Sequence, residues 1–363
     1  PRGAMLENLK RLFSYFSVRS FLLLFTVVVA IYLIIIIANM GGYMDKIKES
    51  EIMEQVYNTV RGNPALQRLS PSELRAILDK QIEIAKRQAG LDKPFITRSL
   101  EYLIRGITLN FGRAEQMTSD SGSNQVRLIL LERLPHTLLL WGTADLLVFF
   151  VSVFFALALS RRYGSFIDRL SVSLAPLSTP PVWFYGILLI LLFASFLRLL
   201  PYGGFVDAPP PSTTLAYVLS VIKHMILPVL SVFIALIFSS LYSWRTFFLI
   251  YSSEDYVEMA KAKGLSSRAI ERRYILRPTL PPIVTSFAMM MISLWMGGIV
   301  TETVFAWPGL GRLLYDAIQH VDTPVIVGSN VIYGYLLAIT VLLLDFLYAA
   351  LDPRVRLGGA RRS

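Results

Sequence analysis

The chain carries long apolar runs, each about as long as a helix must be to cross the hydrocarbon core of a bilayer. The first, FLLLFTVVVAIYLIIIIA at 21–38, contains no charged residue. A transmembrane helix needs about 20 such residues. Comparable runs recur at about 137–159, 178–199, 225–246, 283–303 and 325–350. The pattern predicts an all-α integral membrane protein with six transmembrane helices.

Composition supports this class and excludes several kinds of site. The chain is 54% hydrophobic with a mean hydropathy of +0.56, more than a soluble core requires. It has no cysteine, which excludes disulfides, iron–sulfur clusters and thiolate zinc sites. The three histidines are scattered, so we expect no metal site. In a membrane protein the net charge of +10 indicates basic cytoplasmic loops, and we expect no nucleic-acid partner.

Lys and Arg residues predict the orientation in the cell membrane. If the N-terminus is inside, the inner segments hold eighteen of them and the short outer loops three, which places both termini in the cytoplasm. The predicted parts are a cytoplasmic segment 1–20, transmembrane helix 1 at 21–40, an extracytoplasmic helical subdomain 41–134, a transmembrane core 135–353 with helices 2–6, and a cytoplasmic tail 354–363. Ser70-Pro-Ser-Glu73 is typical of a helix start in the subdomain.

The polar stretch 251–282, YSSEDYVEMAKAKGLSSRAIERRYILRPTLPP, separates the fourth and fifth runs. Ser252 is predicted to cap a short helix that ends at Gly264. Ser266 or Ser267 is predicted to start a second helix that Pro278 stops. One interpretation is an amphipathic element lying on lipid headgroups.

A second constellation, ETVFAWPGLGRLLYDA, begins at Glu302. Pro308 and Gly309 fit the two central positions of a type II turn, where glycine takes a positive φ. Trp307 alone is also typical of an interfacial anchor.

Charged residues inside the runs are costly in hydrocarbon, at least about 2.5 kcal/mol for a carboxylate near the centre. Asp145 lies near the middle of the second run. It either belongs to a proton relay or, as we favour, faces a polar partner helix or the translocation path. Arg198, Glu302 and Asp345 lie near run ends, where snorkelling explains them, and Glu302 is also a candidate for the path.

Several motifs in order resemble the dipeptide and oligopeptide branch of ABC importer permeases, the first of its two permease subunits. They are Gly90-Leu-Asp-Lys-Pro94, Glu132-Arg-Leu-Pro135, Glu258-Met-Ala260 with Gly264, the Glu302 to Gly311 segment and Asp352-Pro-Arg354. The resemblance implies the type I importer permease fold with an extracytoplasmic helical insertion after helix 1. It also implies that 251–282 is the EAA-type loop that couples to the ATPase.

The resemblance assigns roles to particular residues. The ATPase-coupling residues would be Glu258, Ala260, Gly264, Leu265 and Arg268. Receptor docking or the outer gate would involve Trp307, Pro308, Gly309, Gly311 and Arg312. The outer subdomain is either part of that dock or a lid on the partner permease.

The implied partners are a second homologous permease, two ABC ATPase subunits that bind ATP and Mg, an extracellular solute-binding protein and membrane lipid. This chain has no G-x-x-x-x-G-K-[ST] motif, so we expect it to bind no cofactor and to be no enzyme. An ion-gradient-driven secondary transporter using Asp145 is the alternative, although no internal repeat supports it. The cargo stays open among peptides, oligosaccharides and nickel.

Overall fold

The computed structural model, which describes residues 2–39, 43–62, 70–294 and 298–351, builds the protein from α-helices. They are α1 Arg2–Asn39, α2 Tyr43–Arg61, α3 Pro71–Gln88, α4 Phe95–Ile107, α5 Val126–Ser160, α6 Phe166–Ser173, α7 Val182–Leu189, α8 Thr214–Ser252, α9 Asp255–Ala262, α10 Ser267–Ile270, α11 Arg277–Ser293, α12 Ile299–Val304, α13 Leu310–Gln319 and α14 Thr323–Leu351. The predicted tail 354–363, residues 352–353 of the predicted core, and residues 41–42 and 63–69 of the predicted subdomain lie outside these described ranges.

Within the described ranges, four helices are long and apolar enough to cross a membrane. They are Ser17–Ile37 within α1, all of α5, all of α8 and Thr323–Asp345 within α14. These match the first, second, fourth and sixth predicted runs. Helices α5 and α8 pack along each other at the centre, where the rings of Phe149 and Trp244 meet edge to face at 6.0 Å.

The third predicted run, 178–199, forms one arm of a bent pair. Segments Phe166–Ser178 and Val182–Phe196 meet at an angle of 96°, and together they are long and apolar enough to form one span. Pro180 and Pro181 lie in the break, where proline cannot donate a helical hydrogen bond. A π-helical turn, Ile190–Phe196, ends the second arm.

The fifth predicted run, 283–303, is not one uninterrupted helix among the described residues. Helix α11 ends at Ser293, and Gly298 has an extended backbone with φ −119° before α12 begins. Residues 295–297 of this run lie outside the described ranges. The number of six spans therefore stays a prediction.

The helices between the first two spans carry the predicted capping box. The Ser70 hydroxyl accepts from the Glu73 N–H at 3.4 Å, and the Glu73 carboxylate accepts from the Ser70 N–H at 3.0 Å. Helix α4 packs on α1 at Gly106, where a β-carbon would stand 2.8 Å from Ile31 Cγ2. This contact attaches the predicted outer subdomain to the first span.

Candidate functional site

The stretch 251–282 forms the predicted pair of short helices, with two differences in how they begin and end. Helix α8 extends through Ser252, whose hydroxyl donates to the Leu249 carbonyl, so the prediction that Ser252 caps the next helix is wrong. Glu254 occupies the N-cap of α9. The predicted end at Gly264 is confirmed, with φ +73°, and Ser266 caps α10 by accepting from the Ala269 N–H at 3.4 Å.

The predicted coupling residues lie on two different faces of this segment. Ala260 is buried together with Val257 in an apolar cluster that includes Phe248, Ile270 and Ile275. The side chains of Glu258 and Arg268 and the backbone of Gly264 are exposed, and Leu265 is half-buried against the cluster. Ala260 therefore fixes the loop to the helices below, while Glu258 and Arg268 remain accessible to another chain.

Pro278 does not stop the second helix, contrary to the sequence prediction. Helix α10 continues through a π-helical turn, Glu271–Leu276, directly into α11. The Thr279 hydroxyl donates to the Ile275 and Leu276 carbonyls at 2.9 Å, which satisfies carbonyls near the proline that lacks an N–H. The result is a continuous helical connection from the exposed loop to residues deep in the core.

Two ion pairs hold the region around this loop to neighbouring helices. Arg161 at the end of α5 contacts Glu271 in the π-helical turn, with Nε to Oε2 at 2.7 Å. Arg245 of α8 binds both carboxylate oxygens of Asp168 in α6, with Nη2 to Oδ2 at 2.7 Å. Sequence analysis missed both pairs because their members are far apart in the chain and no local pattern marks them.

Asp145 lies in the wall of a cavity of about 550 Å³ bounded by α5, α8 and α11. Its side chain is buried, and serine hydroxyls line the same cavity. This position is compatible with the predicted role in the translocation path.

Glu302 has no exposed surface with which to reach an interface, so the snorkelling interpretation is wrong. Its side chain is fully buried in α12. Its Oε1 atom accepts from the Thr137 hydroxyl and the Trp141 indole N–H, both at 3.1 Å, and Oε2 accepts from the Arg312 N–H at 3.1 Å. Glu302 does not line the Asp145 cavity. Its contacts join α12, α5 and the start of α13.

The turn 307–312, called the outer turn after its predicted side of the membrane, is folded around that carboxylate. Trp307 is fully buried and donates from its indole to the His136 carbonyl at 2.9 Å, so the interfacial-anchor interpretation is wrong. Gly309 has φ −94°, which excludes the predicted type II turn. Glycine is needed there for space instead, because a β-carbon would overlap Glu302 Oε2 and stand 2.6 Å from Thr137 Oγ1.

The other turn residues differ in how accessible they are. Gly311 is also buried over Glu302, whereas Pro308 and Arg312 are half-buried. Arg312 donates from Nη1 to the Ala306 carbonyl at 2.6 Å. Thr137, which also accepts from the Leu310 N–H at 2.7 Å, was missed because an isolated threonine in an apolar run carries no signal. Of the predicted docking residues, Trp307, Gly309 and Gly311 thus lie inside the protein.

Comparison with known proteins identifies the family. The family described as "Binding-protein-dependent transport system inner membrane component" matches residues 149–357, which include α6 to α14 and the whole loop 251–282. The oligopeptide transport system permease protein AppB of Bacillus subtilis is 30% identical over 296 residues, 81% of this chain and 90% of that protein.

Two further relatives cover similar lengths. The di/tripeptide transport system permease protein DppB of Pseudomonas aeruginosa is 31% identical over 288 residues, 75% of this chain and 84% of its own. The dipeptide transport system permease protein DppB of Escherichia coli is 30% identical over 292 residues, 74% of this chain and 83% of its own. With an exposed short-helix loop joined to the core and several membrane-length helices, the chain belongs to the family of inner membrane components of binding-protein-dependent transport systems.

Proposed function

We propose that the chain is one of two permease subunits of an ATP-driven importer that takes up peptides delivered by an extracellular solute-binding protein. The relatives named above are all peptide permeases, which supports peptides over oligosaccharides as cargo. The observation that carries the proposal is the exposed α9–α10 surface, connected by an unbroken helical path to α11 and the cavity at its side.

The coupling mechanism follows from that connection. An ATPase subunit binds the exposed face that carries Glu258 and Arg268, while Val257 and Ala260 hold the same helix to the core. When ATP closes the two ATPases, the loop moves with them. Because α10 continues into α11 without a loop between them, the movement reaches Pro282 and Ser286 in the cavity wall. The path then changes from inward-open to outward-open.

The solute-binding protein docks on the opposite side, under an orientation with both termini in the cytoplasm. The contact cannot use the buried Trp307. It uses the accessible side of α13 that follows it, where Arg312 and Asp316 are about one-third exposed and lie 3.7 Å apart. Helices α2 and α3 add mixed charges, such as the Lys86–Glu49 pair at 3.2 Å, which suit a salt-sensitive polar contact.

The ion-gradient alternative has less support. The chain belongs to a family of binding-protein-dependent transport systems. Among the described residues, the wall of the Asp145 cavity contains no second titratable group through which a proton relay would pass.

The proposed cargo class is tested with the solute-binding protein that delivers cargo to this permease. Its affinities for di- to pentapeptides and for β-linked glucose oligomers are measured by calorimetry. Uptake of the tightest ligand is then measured in proteoliposomes that contain the two permeases and two ATPases. Peptide binding and peptide uptake support the proposal, whereas binding of sugar oligomers alone overturns the cargo assignment and leaves the permease role intact.

A further inference from the structure

The cavity between α5, α8 and α11 has a wall chemistry that selects for one kind of ligand. Its volume is about 550 Å³. Its polar lining consists of one carboxylate and five serines, Asp145, Ser152, Ser239, Ser240, Ser243 and Ser286, and its aromatic lining consists of Phe149, Trp244 and Phe247. The described residues of this wall include no Lys, Arg or His.

Among the described residues of that wall, Asp145 carries the only charge, and 9% of its surface is exposed. Within the described ranges, no donor or basic side chain of this chain pairs with its carboxylate. Removing a carboxylate from water without a partner is unfavourable. A cationic partner from outside the described part of this chain would therefore stabilise Asp145 in its charged form.

The serines present acceptors to the cavity. The Ser152 hydroxyl donates to the Phe149 carbonyl at 3.0 Å, and the Ser239 hydroxyl donates to the Leu236 carbonyl at 3.1 Å. Each oxygen keeps lone pairs that can accept another hydrogen bond. A group that only donates, and carries positive charge, complements such a wall.

A metal ion fits less well than an ammonium group. The described residues contain no cluster of three or more His, Cys, Asp or Glu side chains that could hold a metal. A primary ammonium has three donors and no acceptor, which matches one carboxylate and two hydroxyl oxygens. The faces of Trp244 and Phe247 can also attract a cation.

We infer that this cavity is a binding site for a primary ammonium group of the cargo, with Asp145 as its counter-ion. The inference rests on the proposed function, because an unblocked peptide carries an α-ammonium group. A lysine side chain offers the same chemistry. A basic side chain of the second permease is the competing occupant.

The chain has no cysteine, so a single thiol can report the electrostatics of the cavity. Ser240→Cys is introduced into the transporter assembled in lipid nanodiscs without ATP, with any cysteines of the partner subunits replaced. Its reaction rates with cationic aminoethyl and anionic sulfonatoethyl methanethiosulfonate are compared, each divided by the rate with a free thiol. We expect the cationic reagent to be favoured about tenfold, as for one charge-assisted contact.

Adding Asp145→Asn should remove that preference, whereas the matched acid-to-amide change Asp207→Asn, in the loop before α8, should keep it. An unchanged preference with Asp145→Asn overturns the inference. A thiol that reacts equally with both reagents in the parent complex also overturns the inference. If Asp145→Asn then separates the two permeases, Asp145 pairs with the partner subunit.

Protection of the thiol identifies the ligand group. Tri-alanine, N-acetyl-tri-alanine and N-acetyl-Lys-Ala-Ala are compared as protectants. Protection by tri-alanine alone assigns the α-ammonium, and protection by the first and third assigns any primary ammonium. Equal protection by all three, or by none, overturns the inference. These rates need neither ATP nor cargo delivery, so a complex that shows them but imports no peptide refutes the proposed function separately.

Discussion

Gly309 packs directly on the carboxylate of Glu302, so closely that a β-carbon on residue 309 would overlap the Oε2 atom. Since that carboxylate also accepts from Thr137, Trp141 and the Arg312 backbone, the contact joins the outer turn to α5 and α12. The conformation of the turn is therefore fixed by the buried Glu302 carboxylate and not by a type II turn.

Gly309→Ala is expected to destabilise the permease. The added methyl must displace a buried carboxylate from its three donors, and overpacking of this kind costs about 1–3 kcal/mol. The measurement is the thermal unfolding of the purified permease in detergent. Gly142→Ala in α5 is the matched control, because no atom lies within 4 Å of its β-carbon position. Equal melting temperatures for both variants would show that the outer turn has room to relax.

Ala260→Leu and Ala262→Leu separate packing from exposure on helix α9. Ala260 is 2% exposed against Val257 and Ile270, whereas Ala262 is exposed. We expect Ala260→Leu to lower the melting temperature of the isolated permease, by an overpacking cost of about 1–3 kcal/mol, and Ala262→Leu to leave it unchanged. The opposite order would mean that α9 presents its other face to the core.

Glu258→Lys is expected to abolish cargo-stimulated ATP hydrolysis in the assembled transporter. Glu258 is exposed, so the substitution reverses charge on the coupling surface without disturbing packing. ATP hydrolysis is measured with and without loaded binding protein, and the melting temperature of the permease serves as the folding control. Unaltered stimulation at normal stability would remove Glu258 from the coupling contact.

Asp168→Asn is expected to be strongly destabilising, by about 3–5 kcal/mol, because it leaves the Arg245 guanidinium without its buried counter-charge. Chemical unfolding of the permease measures the loss. The double variant Asp168→Asn with Arg245→Met should recover part of the stability, since no unpaired charge remains buried. A double variant less stable than the single one would contradict this explanation.

The sequence predicted those parts of the structure that local patterns determine. Hydropathy located α1, α5, α8 and α14, and the Ser70–Glu73 pattern and Gly264 marked a helix start and a helix end. Features that depend on distant partners were not predictable. Glu302 was predicted to snorkel because its partner Thr137 is 165 residues away in the chain. Pro278 was predicted to end a helix because no local sequence pattern indicates the π-helical turn before it.

Candidate site residues divide in the same way. Glu258 and Gly264 fall on the predicted exposed loop, and Asp145 lies in a cavity of the core as its polarity suggested. Trp307 was misjudged, because an apolar side chain next to a turn looks the same in sequence whether it anchors in an interface or fills a core.

We propose that ATP hydrolysed by partner subunits drives import through this chain. It is tested most directly by uptake of receptor-delivered peptide into proteoliposomes that contain both permeases and both ATPases, with ATP and Mg on the ATPase side and an uncoupler that collapses the proton gradient. We expect uptake that continues with the uncoupler and stops when ATP is omitted or replaced by a non-hydrolysable analogue. Uptake that stops with the uncoupler at constant ATP, or continues without ATP, would contradict it.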